Sequence, residues 1–462
     1  MVKLKPYEEY KEVDLPWLER IPSHWGQRKV KYLFDERVDK GYPDETLLAA
    51  TQTKGVVPKH MYENRTVVAQ KDLHLLKLVK KGDFVISLRS FQGGIEYAYY
   101  QGIISPAYTI MIPKNEIAPS YFKHLGKSRL FIELLKLCVT GIREGQNIDY
   151  NVLKNAMIPL PPKEEQDQIA KFLDNRLSKI NRFIKAKKRQ IDLLKELKQA
   201  IINQAVTKGI DPSVPKKDSG VEWLGEIPEH WEIKRIKNNN RLYNGNAFPI
   251  EYQGNDFGEI PFYKVSDINK AEIFVSESNN YVSRELVNNN RWTIIPSNCI
   301  LFAKIGEALK KNHRKINKKV CLIDNNMQAM YPYEINLLFQ YYLMRVIDMS
   351  WFDNGGTVPS INTSELLSCK IPFPPIEEQQ AIVIYIETKI KVIEKHIDAI
   401  QSKINLLREY RTSLISAVVT GKVDVRHIPV EDTDEFIEDI AEDEEGVFEE
   451  EIGEEDKEVL IC

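Results

Sequence analysis

The sequence is poor in cysteine and has no cysteine pair at metal-binding spacing. Its five cysteines, Cys138, Cys299, Cys321, Cys369 and Cys462, lie far apart in a chain of 462 residues. A disulfide framework and a zinc knuckle both require closer, paired cysteines. The eight histidines form no H-E-x-x-H or H-x-x-x-H pair that would place two metal ligands on one helical face. We therefore expect reduced thiols and no bound metal.

Long hydrophobic runs are also missing. The longest apolar stretches, such as 130–139, are interrupted by charged residues and fall short of the roughly 20 residues that span a bilayer. The first residues, Met1 to Pro6, lack the apolar core of a secretory signal. These absences predict a soluble protein in the cytoplasm.

Motifs of nucleotide-dependent enzymes are missing as well. Gly126-Lys127-Ser128 matches the end of a phosphate-binding loop, but Tyr121 stands where that loop needs its leading glycine. No glycine-rich loop opens a dinucleotide-binding unit, and no nucleophile, base and orienting group form a recognisable set. We expect the chain to carry no catalytic residue and no cofactor of its own.

What the sequence does contain is an uneven distribution of charge. Residues 431–462 hold seventeen acidic residues and one lysine, a net charge of −16, whereas residues 1–430 hold 63 basic and 50 acidic residues, a net charge of +13. A basic body favours a polyanionic partner. The acidic segment has the composition of a disordered, solubilising tail. The alternative is that its carboxylates occupy a basic DNA channel until DNA or a partner displaces them.

An internal repeat sets the domain organisation. A W-x-x-x-I-P-x-H-W element recurs at an offset of 206 residues, and an I-P-x-P-P-x-E-E-Q element and a V-T ending each recur at an offset of 213. The marker pairs are Trp17–Trp25 with Trp223–Trp231, Ile158–Gln166 with Ile371–Gln379, and Ala205–Thr207 with Val418–Thr420. The part between the last two markers therefore has one length in both copies, while the part before it diverges. One scaffold that presents two different surfaces explains this pattern.

The equal-length parts have the pattern of two long helices. Each begins with a Pro-Pro pair and paired glutamates, which favour a helix N-terminus, and apolar residues then recur at alternating steps of four and three, as in a coiled-coil seam. Helices of about 44 residues are roughly 65 Å long, too long to be buried within their own domains. Because the linker starts the second domain at the far end of the first helix, the helices should pair antiparallel. The predicted seam comprises Leu173, Leu177, Ile180, Ile184, Ile191, Leu194, Ile201, Ile386, Ile390, Ile393, Ile397, Ile400, Ile404, Leu407 and Leu414.

The divergent parts are predicted to be mixed α/β domains. Short runs of β-branched residues, typical of strands, are separated by Gly, Pro and Asn, which favour turns, and by a segment whose apolar residues have helical spacing. The predicted fold class is α+β, with two mixed α/β domains separated by two long helices that form an antiparallel coiled coil with pseudo-two-fold symmetry. The predicted boundaries are 1–160 for the first domain, 161–208 for the first helix, 209–220 for the linker, 221–373 for the second domain, 374–422 for the second helix and 431–462 for the acidic tail.

Polar loops in both domains are typical of nucleic-acid contacts, because Arg, Lys, Gln and Ser side chains read base edges and any nearby Lys or Arg contacts phosphate. The strongest candidate is 310–319, where seven of ten residues are basic or histidine; a solvated surface is the alternative for any single loop. His24 and His230, each beside a tryptophan, favour a packing corner over catalysis. The candidate DNA-binding residues are Lys54, Lys59, Arg65, Arg89, Ser90, Gln92, Tyr97, Arg143, Lys264, Lys304, Lys310, Lys311, Arg314, Lys315, Lys318 and Lys319.

The duplicated motifs, in this order, resemble the DNA specificity subunits of Type I restriction-modification systems over about residues 10–427. The resemblance implies a non-catalytic subunit in which each divergent domain is a target recognition domain for one half of a bipartite double-stranded DNA sequence. It also implies two modification subunits that methylate adenine with S-adenosylmethionine, and restriction subunits that use ATP and Mg to translocate and cut DNA. The acidic tail departs from the family pattern.

Two other function classes stay open at this point. One is a coiled-coil protein-interaction scaffold that does not bind DNA, for which DNA affinity that falls with salt is the discriminating measurement. The other is an autonomous methyltransferase or nuclease, which would require activity from the purified chain alone.

Overall fold

The computed structural model describes residues 4–61, 72–140, 147–270 and 273–430, and within them the chain forms two compact units. The first unit contains the residues up to Gln190 together with those from Ala399 onward, and the second contains Ile191–Asp398. Each boundary falls inside a long helix, so each unit includes part of both long helices. The acidic tail, Arg65, Arg143 and Cys462 lie outside the described residues.

Among the described residues, the first unit contains fourteen strands, five short helices and part of each long helix, including the end of the second long helix from Ala399 onward. The strands are β1 (Tyr10–Leu15), β2 (Leu18–Pro22), β3 (Gly26–Lys29), β4 (Phe34–Arg37), β5 (Leu48–Thr51), β6 (Gly55–Pro58), β7 (Lys77–Val79), β8 (Phe84–Ile86), β9 (Glu96–Tyr97), β10 (Gly102–Ile104), β11 (Thr109–Pro113), β12 (Val139–Thr140), β13 (Asn147–Ile148) and β14 (Met157–Leu160). The helices are α1 (Val30–Leu33), α2 (Ser90–Gly93), α3 (Pro119–Leu125), α4 (Arg129–Leu137), α5 (Tyr150–Leu153) and the start of α6 (Lys163–Lys208).

A four-stranded antiparallel sheet with the order β4-β11-β8-β9 forms the centre of the first unit. Strand β8 is buried on both sides: Val85 packs with Ile110 in one apolar cluster, while Phe84 packs edge-on against Phe34 and Phe122. The hairpin β5-β6 and the pair β10-β7 complete this core. β3 pairs with β14, which brings the first repeat marker to the start of α6.

The second unit has a different sheet at the equivalent place in its repeat, between the tryptophan motif and the long helix. Its strands are β15 (Lys216–Asp218), β16 (Glu226–Pro228), β17 (Glu232–Arg235), β18 (Asn240–Asn244), β19 (Ile260–Tyr263), β20 (Phe274–Val275), β21 (Tyr281–Val282), β22 (Ile300–Ala303), β23 (Arg314–Asn317), β24 (Leu322–Ile323), β25 (Met327–Pro332) and β26 (Lys370–Phe373). Its helices are the end of α6 from Ile191 onward, α7 (Val265–Lys270), α8 (Arg284–Asn289), α9 (Leu337–Val346), α10 (Thr363–Ser368) and the start of α11 (Ile376–Val419). The sheets have the orders β18-β25-β22-β23-β20 and β21-β19-β24, and β17 pairs with β26 as β3 pairs with β14.

In the first unit, α6 and α11 run antiparallel. Gln168 on α6 donates to the main-chain oxygens of Val425 and Ile428, at 3.0 and 2.8 Å, just beyond the end of α11. Further along α6, the Oδ1 atom of Asn181 accepts a hydrogen bond of 3.4 Å from Arg411. Residue numbers therefore rise along α6 as they fall along α11.

The second unit repeats this direction. Lys198 on α6 forms an ion pair of 2.6 Å with Glu394 on α11, and Gly209, just after α6, lies beside Glu378 in the first turn of α11. The predicted fold class, two mixed α/β domains with long helices paired antiparallel, is confirmed.

The predicted seam residues lie on the sides of α6 and α11 that are removed from solvent. Leu173, Leu177, Ile180, Ile184, Ile191, Ile386, Ile390, Ile393, Ile400, Ile404 and Leu414 are buried, and Leu194, Ile201, Ile397 and Leu407 are half-buried. On other faces, Phe183 and Leu406 are 64% and 63% exposed. Both helices begin after the prolines, because Pro162 and Pro375 supply the first main-chain acceptors rather than lying inside the helix.

Candidate nucleic-acid interface

The repeated tryptophan and glutamate motifs meet at a clamp in the first unit. Glu165, in the first turn of α6, accepts hydrogen bonds from Trp25 Nε1 at 3.0 Å, His24 Nε2 at 2.8 Å and the Tyr7 hydroxyl at 2.5 Å. Trp25 and Tyr7 are buried. Burial, followed by the neighbouring Glu165, raises the pKa of Tyr7, so its hydroxyl remains a donor. The clamp fastens the chain before β3 to the start of the long helix.

The second unit has the equivalent clamp with one donor fewer in contact. Glu378 accepts from Trp231 Nε1 at 3.0 Å and from His230 Nε2 at 2.7 Å. In both units the histidine therefore contacts a structural carboxylate beside a buried tryptophan, which is a packing corner. The two glutamates of each E-E-Q motif differ in role, because only the second one of each pair reaches the tryptophan.

The glutamine of the E-E-Q motif connects the long helix to the domain beside it. Gln166 accepts from the amide of Ala118 at 2.7 Å, at the start of α3, and donates to the main-chain oxygen of Pro161. Gln379 accepts from the amide of Asn336 at 2.8 Å, at the start of α9, and donates to Pro374. Each buried glutamine thus fixes a domain helix at a set position relative to α6 or α11.

The first unit brings two of its candidate DNA-binding loops together. Lys54 lies half-buried in the turn between β5 and β6, and Arg89 and Gln92 lie exposed at the turn that contains α2. Lys127, between α3 and α4, donates to main-chain oxygens of both turns. In the sequence, Lys127 stands out only as part of an incomplete phosphate-binding loop, and its position between these turns has no sequence signature.

Other candidates in the first unit have structural contacts. Against the expectation of a surface residue, Ser90 is 1% exposed, and its Oγ accepts from the Ser87 amide inside the α2 turn. Tyr97 is half-buried, packs on Phe84 and Tyr99, and has its pKa raised by burial. Burial lowers the pKa of the half-buried Lys59. Arg65 and Arg143 lie outside the described residues.

The basic run 310–319 of the second unit does not form one continuous surface. Lys310 and Lys311 are exposed in the loop before β23, whereas Lys318 and Lys319 are exposed after it. A four-residue strand separates these pairs by about 13 Å. Lys310 also pairs with Glu307 at 2.9 Å, and Lys318 lies over the ring of Phe274.

Within β23 the side chains alternate between the two faces. Arg314 shares the inward face with Ile316, is 2% exposed and donates to the main-chain oxygen of Ile347 at 3.1 Å. Burial lowers the pKa of Arg314 to about 9, which leaves it protonated at neutral pH. Against the expectation of a surface residue, the Arg314 side chain therefore lies in the interior, while Lys315 on the other face is half-buried.

Lys264 and Lys304 each directly follow a strand, β19 and β22, rather than lying at the tip of a loop. The Lys264 ammonium donates to Gln253 and lies 5.7 Å from the centre of the Phe248 ring, so it holds the loop before β19. Lys304 is half-buried directly after β22, and its main chain pairs with Asn326 and Ile361. Among the described residues, no cluster of His, Cys, Asp and Glu is arranged to hold a metal ion, and no helix is long and apolar enough to cross a membrane.

A family model described as the Type I restriction modification DNA specificity domain matches residues 47–193 and 228–405. The chain belongs to this family. Both matched ranges include a divergent domain and part of the long helix that follows it, so each repeat carries one copy of the specificity domain. The four described cysteines of this specificity subunit, Cys138, Cys299, Cys321 and Cys369, are free thiols.

Individual relatives agree with the family assignment. The chain is 26% identical over 452 residues to the putative type I restriction enzyme MjaX specificity subunit of Methanocaldococcus jannaschii, covering 91% of this chain and 97% of that protein. It is 32% identical over 177 residues to the EcoR124I/EcoR124II specificity subunit of Escherichia coli, covering 36% of this chain and 40% of that protein. A solved chain from a study of complex assembly and conformational transition of the type I R-M system matches with a TM-score of 0.64 at 15% identity, covering 87% of this chain and 99% of that chain.

Specificity subunits recognise DNA and are not catalytic. The predicted DNA-recognition function is confirmed by the family, and the family does not favour a coiled-coil scaffold without DNA binding. The role of an autonomous methyltransferase or nuclease has no support in the family either.

Proposed function

We propose that each unit reads one half of a bipartite duplex sequence. The observation that carries this proposal is the contrast between the shared frame and the unlike sheets. The glutamate clamp, the buried glutamine and the paired strands at the helix start recur in both units, whereas the sheets have the different orders β4-β11-β8-β9 and β18-β25-β22-β23-β20. Two different surfaces on a repeated frame suit two unlike half-sites.

The proposed contacts are the exposed polar side chains of the loops. In the first unit these are Arg89 and Gln92, with Lys54 beside them. In the second unit they are Lys310, Lys311, Lys318 and Lys319. Arg and Gln suit bidentate contacts to base edges, and the lysines suit phosphates. Contacts of both kinds give an affinity that falls with salt and a preference among sequences.

The proposed partners are two modification subunits and, through them, restriction subunits. The modification subunits would bind S-adenosylmethionine, and the restriction subunits would use ATP and Mg, so this chain supplies sequence choice alone. The exposed apolar residues Phe183, Leu406 and Tyr410 on the long helices of the first unit offer a surface for such partners. Because its proposed ligand is double-stranded DNA, we propose that the complex acts in the cytoplasm.

The test is to map methylated adenines in DNA from cells that carry this chain with its modification subunit. Exchanging residues 241–353 for the matching segment of another family member should change one half of the methylated motif and leave the other half and the spacing unchanged. An unsplit motif, or a change in both halves, would contradict the proposal. Methylation without any sequence preference would show that the chain acts as a scaffold.

A further inference from the structure

Lys127 joins three segments of the first unit. Its ammonium donates to the main-chain oxygen of Gln52 at 2.9 Å, to that of Gly93 at 3.0 Å and to Glu96 Oε1 at 2.6 Å. Gln52 belongs to the turn between β5 and β6, and Gly93 ends α2. A lysine ammonium has three N–H donors, so these three acceptors use all of them.

The packing around this junction leaves little room for rearrangement. A Cβ atom at Gly93 would lie 2.8 Å from Cδ of Gln52, and one at Gly94 would overlap the main-chain oxygen of Gly126. The amide of Ile95 donates to that same Gly126 oxygen at 3.1 Å. The α2 turn therefore rests directly on both the β5-β6 turn and the segment that carries Lys127.

The outer side of the same turn carries the exposed side chains. Arg89 and Gln92 are exposed, while Glu96, which follows α2 in β9, is 1% exposed. A bidentate contact to a base edge requires the side chain to be held within about half an ångström. Lys127 binds both Gly93, at the end of α2, and Glu96, in β9. The ion pair with Glu96 therefore holds the α2 turn in position against β9.

We propose that Lys127 is a positioning residue for sequence recognition by the first unit. It holds the α2 turn against the β5-β6 turn, so that Arg89 and Gln92 meet base edges in one register. It does not contact DNA itself, because its donors are occupied. This inference rests on the proposed function, in which the first unit reads one half-site.

The test uses the chain in complex with its modification subunit and a library of duplex DNA with random sequence. Methylated adenines report the motif, and competition between the preferred duplex and single-base variants reports discrimination. Lys127→Met should reduce discrimination in one half of the motif by about 10-fold, a typical value for one bidentate base contact. Discrimination in the other half should stay unchanged. The dependence of affinity on salt should also stay unchanged, because no phosphate contact is removed.

Matched variants separate positioning from simple loss of folding. Lys136→Met removes an exposed lysine of the same domain, paired only with the exposed Glu133, and should change nothing. The double variant Lys127→Met with Glu96→Gln removes the buried negative charge together with its ammonium partner, and it should lose the same discrimination while keeping the hydrogen-exchange protection of the β8 and β11 amides. If Lys127→Met alone unfolds the first unit, the test of positioning is made on the double variant instead.

Three results would overturn the inference. They are full discrimination in the double variant, equal loss in both halves of the motif, and a salt dependence reduced by about 0.9 in log–log slope, which would make Lys127 a phosphate contact. Failure of the proposed function would look different, because the unmodified complex itself would then show no split motif.

Discussion

The glutamate clamps allow a stability prediction with an internal control. In the first unit, Glu165→Ala leaves the buried Trp25 and Tyr7 donors without their acceptor, and also frees His24. An unsatisfied buried donor costs about 1–3 kcal/mol, so the loss of the acceptor for these two buried donors should lower the free energy of unfolding of the first unit by about 2–6 kcal/mol. The side chain of Glu165 is 5% exposed, so solvent offers little compensation.

The equivalent change in the second unit should cost less. Glu378 has 25% side-chain exposure, and His230 has 45%. Water can therefore replace part of what Glu378→Ala removes, and we expect a loss of about 1–3 kcal/mol. Hydrogen exchange of peptides from each unit, with chemical denaturation of the whole chain, measures both losses. The matched controls are Glu164→Ala and Glu377→Ala, which change the exposed neighbouring glutamates and should cost under about 0.5 kcal/mol.

If Glu165→Ala and Glu164→Ala lower stability equally, the clamp does not stabilise the first unit as proposed. Glu165 would then contribute only the favourable interaction of a negative charge with the helix N-terminus, which Glu164 makes as well. The prediction is also refuted if Glu378→Ala is the more damaging of the two clamp variants, because burial would then not set the cost.

Further predictions concern the seam, pH and DNA affinity. Ile184→Ala empties a fully buried seam position and should lower the unfolding free energy by about 2–5 kcal/mol, whereas Phe183→Ala on the exposed face should leave stability near wild type and weaken capture of the modification subunit. Burial lowers the pKa of His124 despite its bond to Asp174, so the folded state binds fewer protons than the unfolded state and stability should fall as pH drops below about 6.5; thermal unfolding between pH 7.5 and 5.5 should show a smaller fall in His124→Gln. Lys311→Gln should reduce the log–log salt slope of DNA affinity by about 0.9, and an unchanged slope would remove this lysine from the interface.

The frame could be predicted from the sequence because repetition and periodicity both act over long stretches. A four-three spacing sustained over ten positions identifies the buried faces of α6 and α11, and the Pro-Pro pairs place the helix starts within a few residues. The choice between Glu164 and Glu165 as the clamp residue could not be made, because both lie in the same helical turn and only the three-dimensional position of Trp25 distinguishes them.

The residues of the candidate interface were harder to predict than the helices, because the presence of a charged residue in the sequence does not show whether its side chain faces solvent or the interior. Arg314 belongs to a basic run, yet strand alternation places it inside beside Ile316. Lys127 lies outside every basic cluster, yet the folding of three segments brings their acceptors to its ammonium. Contacts between distant parts of the chain position the loop residues. The type of a single residue in the sequence does not reveal those contacts.

The composition of the first unit has a consequence for building chimeras. Tyr121 donates to the main-chain oxygen of Val419 at 3.0 Å, and Tyr10 donates to that of Gly421 at 3.1 Å, so residues 298 and 411 positions apart in the chain complete one folding unit. A cut at the middle of the sequence would divide that core between two fragments. Crossovers placed in β3 and β14 instead would transplant an entire reading surface while every clamp contact of the recipient stays in place.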